Sequence, residues 1–161
     1  MANKEFERLI FNIIPRLSFF GGTSKEEISN IMKYIHEEKI KAGKYIYKEG
    51  DSPENLYILM DGEVEFFMFD EKIAQGELGL LFGTSATIGI QKQLTSALAK
   101  TDVKLAVISK KFFLEINKND PELFSKIILN IARDLARDLN FLREYVRKQK
   151  ENCELQKKIE G

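Results

Sequence analysis

Between residues 38 and 109 the chain is interrupted by turn residues so often that no long helix fits there. Ala42-Gly43, Glu49-Gly50-Asp51, Asp61-Gly62, Gly76 to Gly79, Gly83 and Thr101-Asp102 punctuate it. Turns spaced about every 8–12 residues mark a compact β-sandwich or β-roll. The segments between them read as short strands: Lys39–Lys41, Tyr45–Tyr47, Leu56–Met60, Glu63–Phe69, Lys72–Gln75, Thr95–Lys100 and Lys104–Ser109. Asp61-Gly62 predicts a type I′ hairpin, which needs positive φ at both central residues. Beyond it Val64, Phe66 and Met68 share one face, with Phe67 and Phe69 opposite, so both faces of this strand are expected to be covered. Leu56, Ile58 and Val64 are expected to fill the roll interior.

Helical spacing flanks this region on both sides. Phe6, Leu9, Ile10, Ile13 and Ile14 predict a first helix ending before Pro15. Ser24 and Glu27 have the spacing of a capping box. The helix they open carries Ile28, Ile31, Met32 and Ile35 as its buried stripe and His36 near its end. Gly21-Gly22 reads as a flexible joint between these helices. After Ser109, Phe112, Phe113 and Ile116 predict a short helix ended near Asn119-Asp120-Pro121, and Pro121 suits the first turn of a long final helix. Along that helix Ile128, Ala132, Leu135, Leu139, Leu142 and Val146 recur in alternating four- and three-residue steps, continued more weakly by Gln149 and Cys153. Such a heptad seam predicts a parallel homodimer, with the N-terminal half of the stripe free to pack on the roll instead. The expected division is 1–36 for the N-terminal helices, 37–118 for the roll and 119–161 for the C-terminal helix. No low-complexity segment or internal repeat is evident.

Several function classes are disfavoured. With 25 basic and 25 acidic residues the net charge is zero, so the electrostatic footprint of a nucleic-acid binder is missing. Arg143, Arg147, Lys148 and Lys150 interleave with Glu144, Glu151 and Glu154, which predicts a helix laced with salt bridges. No apolar run reaches the ~20 residues of a membrane span. A single cysteine and no signal-like N-terminus point to a cytoplasmic protein. One histidine, His36, beside Glu37 and Glu38 on a solvated face, offers no metal site. Ser24, Ser109 and Ser125 have no base at hand, and neither a P-loop nor a nucleophile elbow is present. A non-enzymatic protein is expected.

Ordered strings narrow the fold further. Ala42 to Asp51 carries G-x-x-I-x-x-E-G-D, and Leu56 to Val64 carries L-Y-I-L-x-x-G-x-V. Gly79-Leu80-Leu81-Phe82-Gly83 then Ser85-Ala86 precede Gln93-Leu94-Thr95-Ser96-Ala97, and Ala99 to Val103 and Ile108 to Phe112 close the set. Together, over about residues 15 to 140, these strings resemble the cyclic nucleotide-binding domain family, as in catabolite activator proteins and protein kinase A regulatory subunits. The resemblance implies an α+β fold: an eight-stranded antiparallel β-roll (jelly roll) with N-terminal helices and a long C-terminal helix. It also implies dimerisation along that helix.

The resemblance further implies a phosphate-binding cassette at Phe82, Gly83, Thr84, Ser85, Ala86, Gln93, Leu94, Thr95 and Ser96. Family members carry Glu where this chain has Thr84 and Arg where it has Gln93. Two other registers stand beside this ungapped one. A one-residue slip brings in Lys92, and a gap makes Glu77 the ribose-binding residue. Charge-assisted hydrogen bonds are roughly twice as strong as neutral ones, so cyclic AMP and cyclic GMP are expected to bind weakly or not at all. Thr84→Glu with Gln93→Arg is expected to restore binding at little cost in stability. A small phosphorylated ligand and a second copy of the chain are the expected partners. The alternatives are a dimeric scaffold acting by protein contacts, or the effector domain of a transcription regulator without its DNA-binding module.

Overall fold

The structure, a computed structural model, describes residues 4–159, with side chains other than Phe141 and Tyr145 described up to residue 151. Eight strands form two four-stranded antiparallel sheets. They are β1 (Ile35–Ile40), β2 (Tyr45–Tyr47), β3 (Asn55–Asp61), β4 (Val64–Met68), β5 (Glu71–Gly76), β6 (Leu81–Phe82), β7 (Ser96–Ala99) and β8 (Val103–Ser109). One sheet runs β1-β8-β3-β6 and the other β2-β7-β4-β5. The helices are α1 (Lys4–Ile13), α2 (Lys25–Ile31), α3 (Thr84–Gly89), α4 (Lys111–Asn119) and α5 (Pro121–Ile159). The expected β-roll with helices at both ends is therefore present.

The first sheet separates two cores, because its central strands are covered on both faces. From β3, Leu56, Ile58 and Met60 point to the helices, where they meet Ile10, Phe20, Ile28, Phe112 and Ile127. Tyr57 and Leu59 point the other way, into the roll, against Val64, Phe66, Leu105 and Val107. Strand periodicity makes this division, since successive side chains face opposite sides. Leu56 and Ile58 thus pack under the helices rather than in the roll interior.

The Asp61-Gly62 turn is also not a hairpin. Gly62 has φ 88° while Asp61 ends β3 outside the left-handed region. Because β3 and β4 belong to different sheets, the turn carries the chain from one sheet to the other. The two-residue hairpin lies instead at Phe69-Asp70, between Met68 and its partner Glu71. Both loop residues have positive φ, 51° and 64°. Phe69 is 81% exposed, so it does not cover a strand face.

Other boundaries shift for local reasons. Ser24 caps α2 with both bonds of the capping box, Glu27 N–H to Ser24 Oγ and Ser24 N–H to the Glu27 carboxylate. The helix ends at Ile31 and tightens through a 3-10 turn, Met32–Tyr34. Ile35 and His36 therefore begin β1, where His36 pairs with Val107. Gly21 is pinned rather than flexible, since its carbonyl accepts a 2.8 Å bond from Asn130 Nδ2. In α5, Asp120 caps the start by accepting from the Leu123 N–H. Leu123, Ile127 and Ile131 are buried against the body of the protein. Ile128, Ala132, Leu135, Leu139, Leu142 and Val146, a neighbouring stripe, stay exposed. Arg147 pairs with Glu144 and Glu151, the salt-bridge lacing expected of the last helix. No helix among the described residues is long and apolar enough to cross a membrane.

Candidate functional site

The site begins at β6, which is only two residues long and follows a turn held to β3. The Gly79 N–H donates to the Leu59 carbonyl at 2.7 Å, and the Leu59 N–H donates to Leu80 at 2.9 Å. β6 itself pairs Phe82 with Tyr57. The Phe82 ring stacks on Tyr57 at 5.3 Å and meets Phe66 edge-on at 5.4 Å. Gly83 follows with φ 80°. A Cβ there would lie 3.0 Å from the Asn55 carbonyl and 3.3 Å from the Tyr57 ring. Backbone conformation and space therefore both demand glycine.

Gly83 opens α3, which starts at Thr84. Thr87 ties this helix back to β3 through a 3.1 Å bond from its hydroxyl to the Asn55 carbonyl. Glu77 is exposed and its carbonyl closes the preceding turn, so it stands outside the helix start. Lys92 is also exposed.

Gln93 lies between α3 and β7, and the backbone holds it on both sides. Its N–H donates to Asp51 at 2.9 Å and its carbonyl accepts from Gly50 at 2.8 Å. Nearby, Ser96 Oγ accepts from the Glu49 N–H at 2.9 Å, and the Glu49 carboxylate accepts from the Phe69 N–H at 3.2 Å. The Glu49-Gly50-Asp51 turn is thus a brace for the cassette strand and the Phe69-Asp70 hairpin together. Gln93 is only 5% exposed. That corrects the expectation that exchanging it for arginine leaves stability almost untouched.

Between the cassette and α5 lies a cavity of about 610 Å³. Phe82, Gly83, Thr84, Ser85 and Thr95 line it; Ala86, Gln93, Leu94 and Ser96 do not. Ala86 is buried and Leu94 is 67% exposed. Tyr47 and Phe66 add aromatic surface to the wall. Burial pushes the Tyr47 hydroxyl up to about 12, opposed in part by its hydrogen bond with Thr95. Burial raises Tyr57 as well. Both phenols are therefore neutral near pH 7.

The opposite wall comes from parts of the chain that the cassette pattern does not cover. Arg16 and Ser18 come from the 3-10 turns after α1, and Ile131, Asp134, Leu135, Arg137 and Asp138 from α5. Ser18 Oγ donates to the Asp134 carboxylate at 2.7 Å, and Arg137 pairs with the same carboxylate. A sequence signal for this wall does exist. Ala132-Arg133-Asp134-Leu135 recurs as Ala136-Arg137-Asp138-Leu139, which corrects the expectation of no internal repeat and puts Asp134 and Asp138 one helical turn apart.

This architecture agrees with the comparisons. A family model described as the cyclic nucleotide-binding domain matches residues 37–120, just over half of the chain. The chain belongs to the cyclic nucleotide-binding domain family. A cAMP-dependent protein kinase regulatory subunit from Emericella nidulans is 33% identical over 102 residues, covering 62% of this chain and 24% of that protein. The cGMP-dependent protein kinase 2 of Mus musculus is 20% identical over 130 residues, covering 81% of this chain and 17% of that one. This chain therefore spans about a quarter or less of the length of either relative. Among solved structures, a cyclic nucleotide-binding domain from Methylobacillus flagellatus superposes with a TM-score of 0.77 at 22% identity, over 91% of this chain and 84% of that one. The Thermus thermophilus catabolite activator protein gives 0.72 at 24% identity, over 81% and 62%. These two structural likenesses carry the fold.

Proposed function

We propose that this domain is a non-enzymatic regulatory module of the family that binds cyclic AMP and cyclic GMP weakly or not at all. The observation that carries the reading is the state of the two charged cassette positions. Position 84 lines the cavity and carries only a short neutral side chain. Position 93 holds a buried amide that does not line it. Neither a carboxylate for a ribose nor a guanidinium for a cyclic phosphate is supplied by the cassette. Two lost charge-assisted bonds weaken binding by roughly a thousandfold. Calorimetry with each nucleotide is the test. A dissociation constant at or below the low micromolar range for either one refutes the reading.

A dimeric scaffold acting by protein contacts is the second reading, and the exposed α5 seam favours it. Leu135, Leu139, Leu142 and Val146 are each 41–56% exposed. Large apolar residues exposed at heptad spacing fit a second copy of the same helix. Light scattering at micromolar concentration should then return twice the chain mass.

A further inference from the structure

The exposed seam of α5 is flanked by charges of opposite sign. With Ala132, Leu139 and Val146 at the a positions of a heptad and Ile128, Leu135 and Leu142 at the d positions, Asp138 falls at g and Arg143 at e. Both are exposed. Among the described residues neither has an ion-pair partner. Their own helix offers none: three or four residues from Asp138 there is no cation, and three or four from Arg143 no anion. Asp134 and Arg147 stand there instead, each a like charge at the four-residue spacing, which is unfavourable on an isolated helix. Those two neighbours are themselves satisfied, Asp134 by Ser18 and Arg137, and Arg147 by Glu144 and Glu151. Asp138 and Arg143 stay unpaired at the two edges of the seam.

We propose that a second copy of the chain covers this seam in parallel, with Asp138 of each helix paired to Arg143 of the partner subunit. This pairing rests on the dimeric reading of α5 and adds what fixes its orientation. In a parallel coil a g residue meets the partner's e residue five positions further on, which is the spacing from Asp138 to Arg143. Two-fold symmetry forms the pair twice, because each contact recurs with the roles exchanged. An antiparallel coil sets e against e and g against g. Arg143 and Lys150, both at e, would then line up with the same two cations of the second helix. The charges of this chain therefore complement a second copy of itself in one orientation.

The test compares the full chain with Asp138→Arg, with Arg143→Asp and with both exchanges together, by sedimentation equilibrium. Each single exchange sets like charges against each other on both flanks and should weaken the dimer about tenfold. The double exchange reverses the sign of every pair and should bring the dimer back to within about threefold of wild type. All of these changes fall at exposed positions, so circular dichroism should match wild type. Orientation has its own readout. Cys153 lies one heptad beyond Val146, so a short bis-maleimide should join the two chains of a parallel dimer there and leave an antiparallel one unlinked. A dimer that the single exchanges do not weaken, that the double exchange does not rescue, or that the bis-maleimide does not join overturns the proposal and leaves the dimeric reading standing. A wild-type chain that stays monomeric overturns both.

Discussion

Leu142→Asp is the sharpest probe of how the final helix is used. Among the described side chains the buried stripe of α5 runs no further than Ile131, and Leu142 is 56% exposed on the single chain. Full burial of a leucine contributes about 1.5–3 kcal/mol. Covering the exposed fraction on both copies of a symmetric coil therefore contributes roughly 2–3 kcal/mol per dimer. Losing it weakens association about 30- to 150-fold, and two carboxylates facing each other across the seam add to that. On the monomer the same change removes little packing and costs only about 0.5 kcal/mol of helix propensity. Sedimentation equilibrium should show wild-type dimer and Leu142→Asp monomer at the same micromolar concentration, with unchanged circular dichroism. Leu114→Asp, at a 73% exposed site on α4 off the seam, should leave the dimer intact. A monomeric wild type, or a dimer that survives Leu142→Asp, refutes the reasoning.

Three further outcomes test the site and its supports. Phe69→Asn with Asp70→Gly relieves two left-handed residues that cost about 1–2 kcal/mol each; a urea midpoint that does not rise would show that the exposed Phe69 ring holds a contact on the chain. Burial keeps the Tyr47 phenol protonated up to about pH 12, above its unfolded value near 10; this contribution is complete below about pH 10, is lost as pH rises through the folded value, and should vanish from the alkaline melting profile of Tyr47→Phe. Gln93→Arg places a guanidinium at a site only 5% exposed, so it should cost on the order of 2–4 kcal/mol alone. Combined with Thr84→Glu, it should show a cyclic AMP-dependent thermal shift, whose absence would mean that position 93 cannot turn toward the cavity.

Much of the roll was legible because turn chemistry and strand alternation are local. Tyr45–Tyr47 is β2, the capping box at Ser24 is formed, and Pro121 opens α5. The misreadings have one cause, which is that pairing between strands is not local. Asp61-Gly62 satisfies the composition of a hairpin, but β3 finds its partners in β8 and β6, so the same dipeptide becomes a crossing between sheets. Phe69-Asp70 forms the actual hairpin with a composition that gives no warning, held partly by a bond from Phe69 to the distant Glu49. β6 is two residues long, too short to show alternation. His36 follows an apolar helical stripe, yet pairing with β8 draws it into a strand.

The cavity was half legible for a related reason. A cassette read along the chain reports one wall, the one built from residues 79 to 96. The other wall depends on where α5 docks, which is decided by contacts roughly a hundred residues apart. Lys126 reaches Glu27 at 2.6 Å, Asn130 reaches the Phe19 and Gly21 carbonyls at 3.3 and 2.8 Å, and Asp134 accepts from Ser18 at 2.7 Å. These three residues are each four apart, one polar line beside the apolar line of Leu123, Ile127 and Ile131. A buried apolar stripe alone would let the helix slide along the 3-10 turns, since hydrophobic burial is not directional. The polar line removes that freedom, because each hydrogen bond has its own geometry. It sets the register that brings Asp134, Arg137 and Asp138 opposite Thr84 and Ser85. The chemistry of the cavity is therefore written as much in the spacing of Lys126, Asn130 and Asp134 as in the cassette.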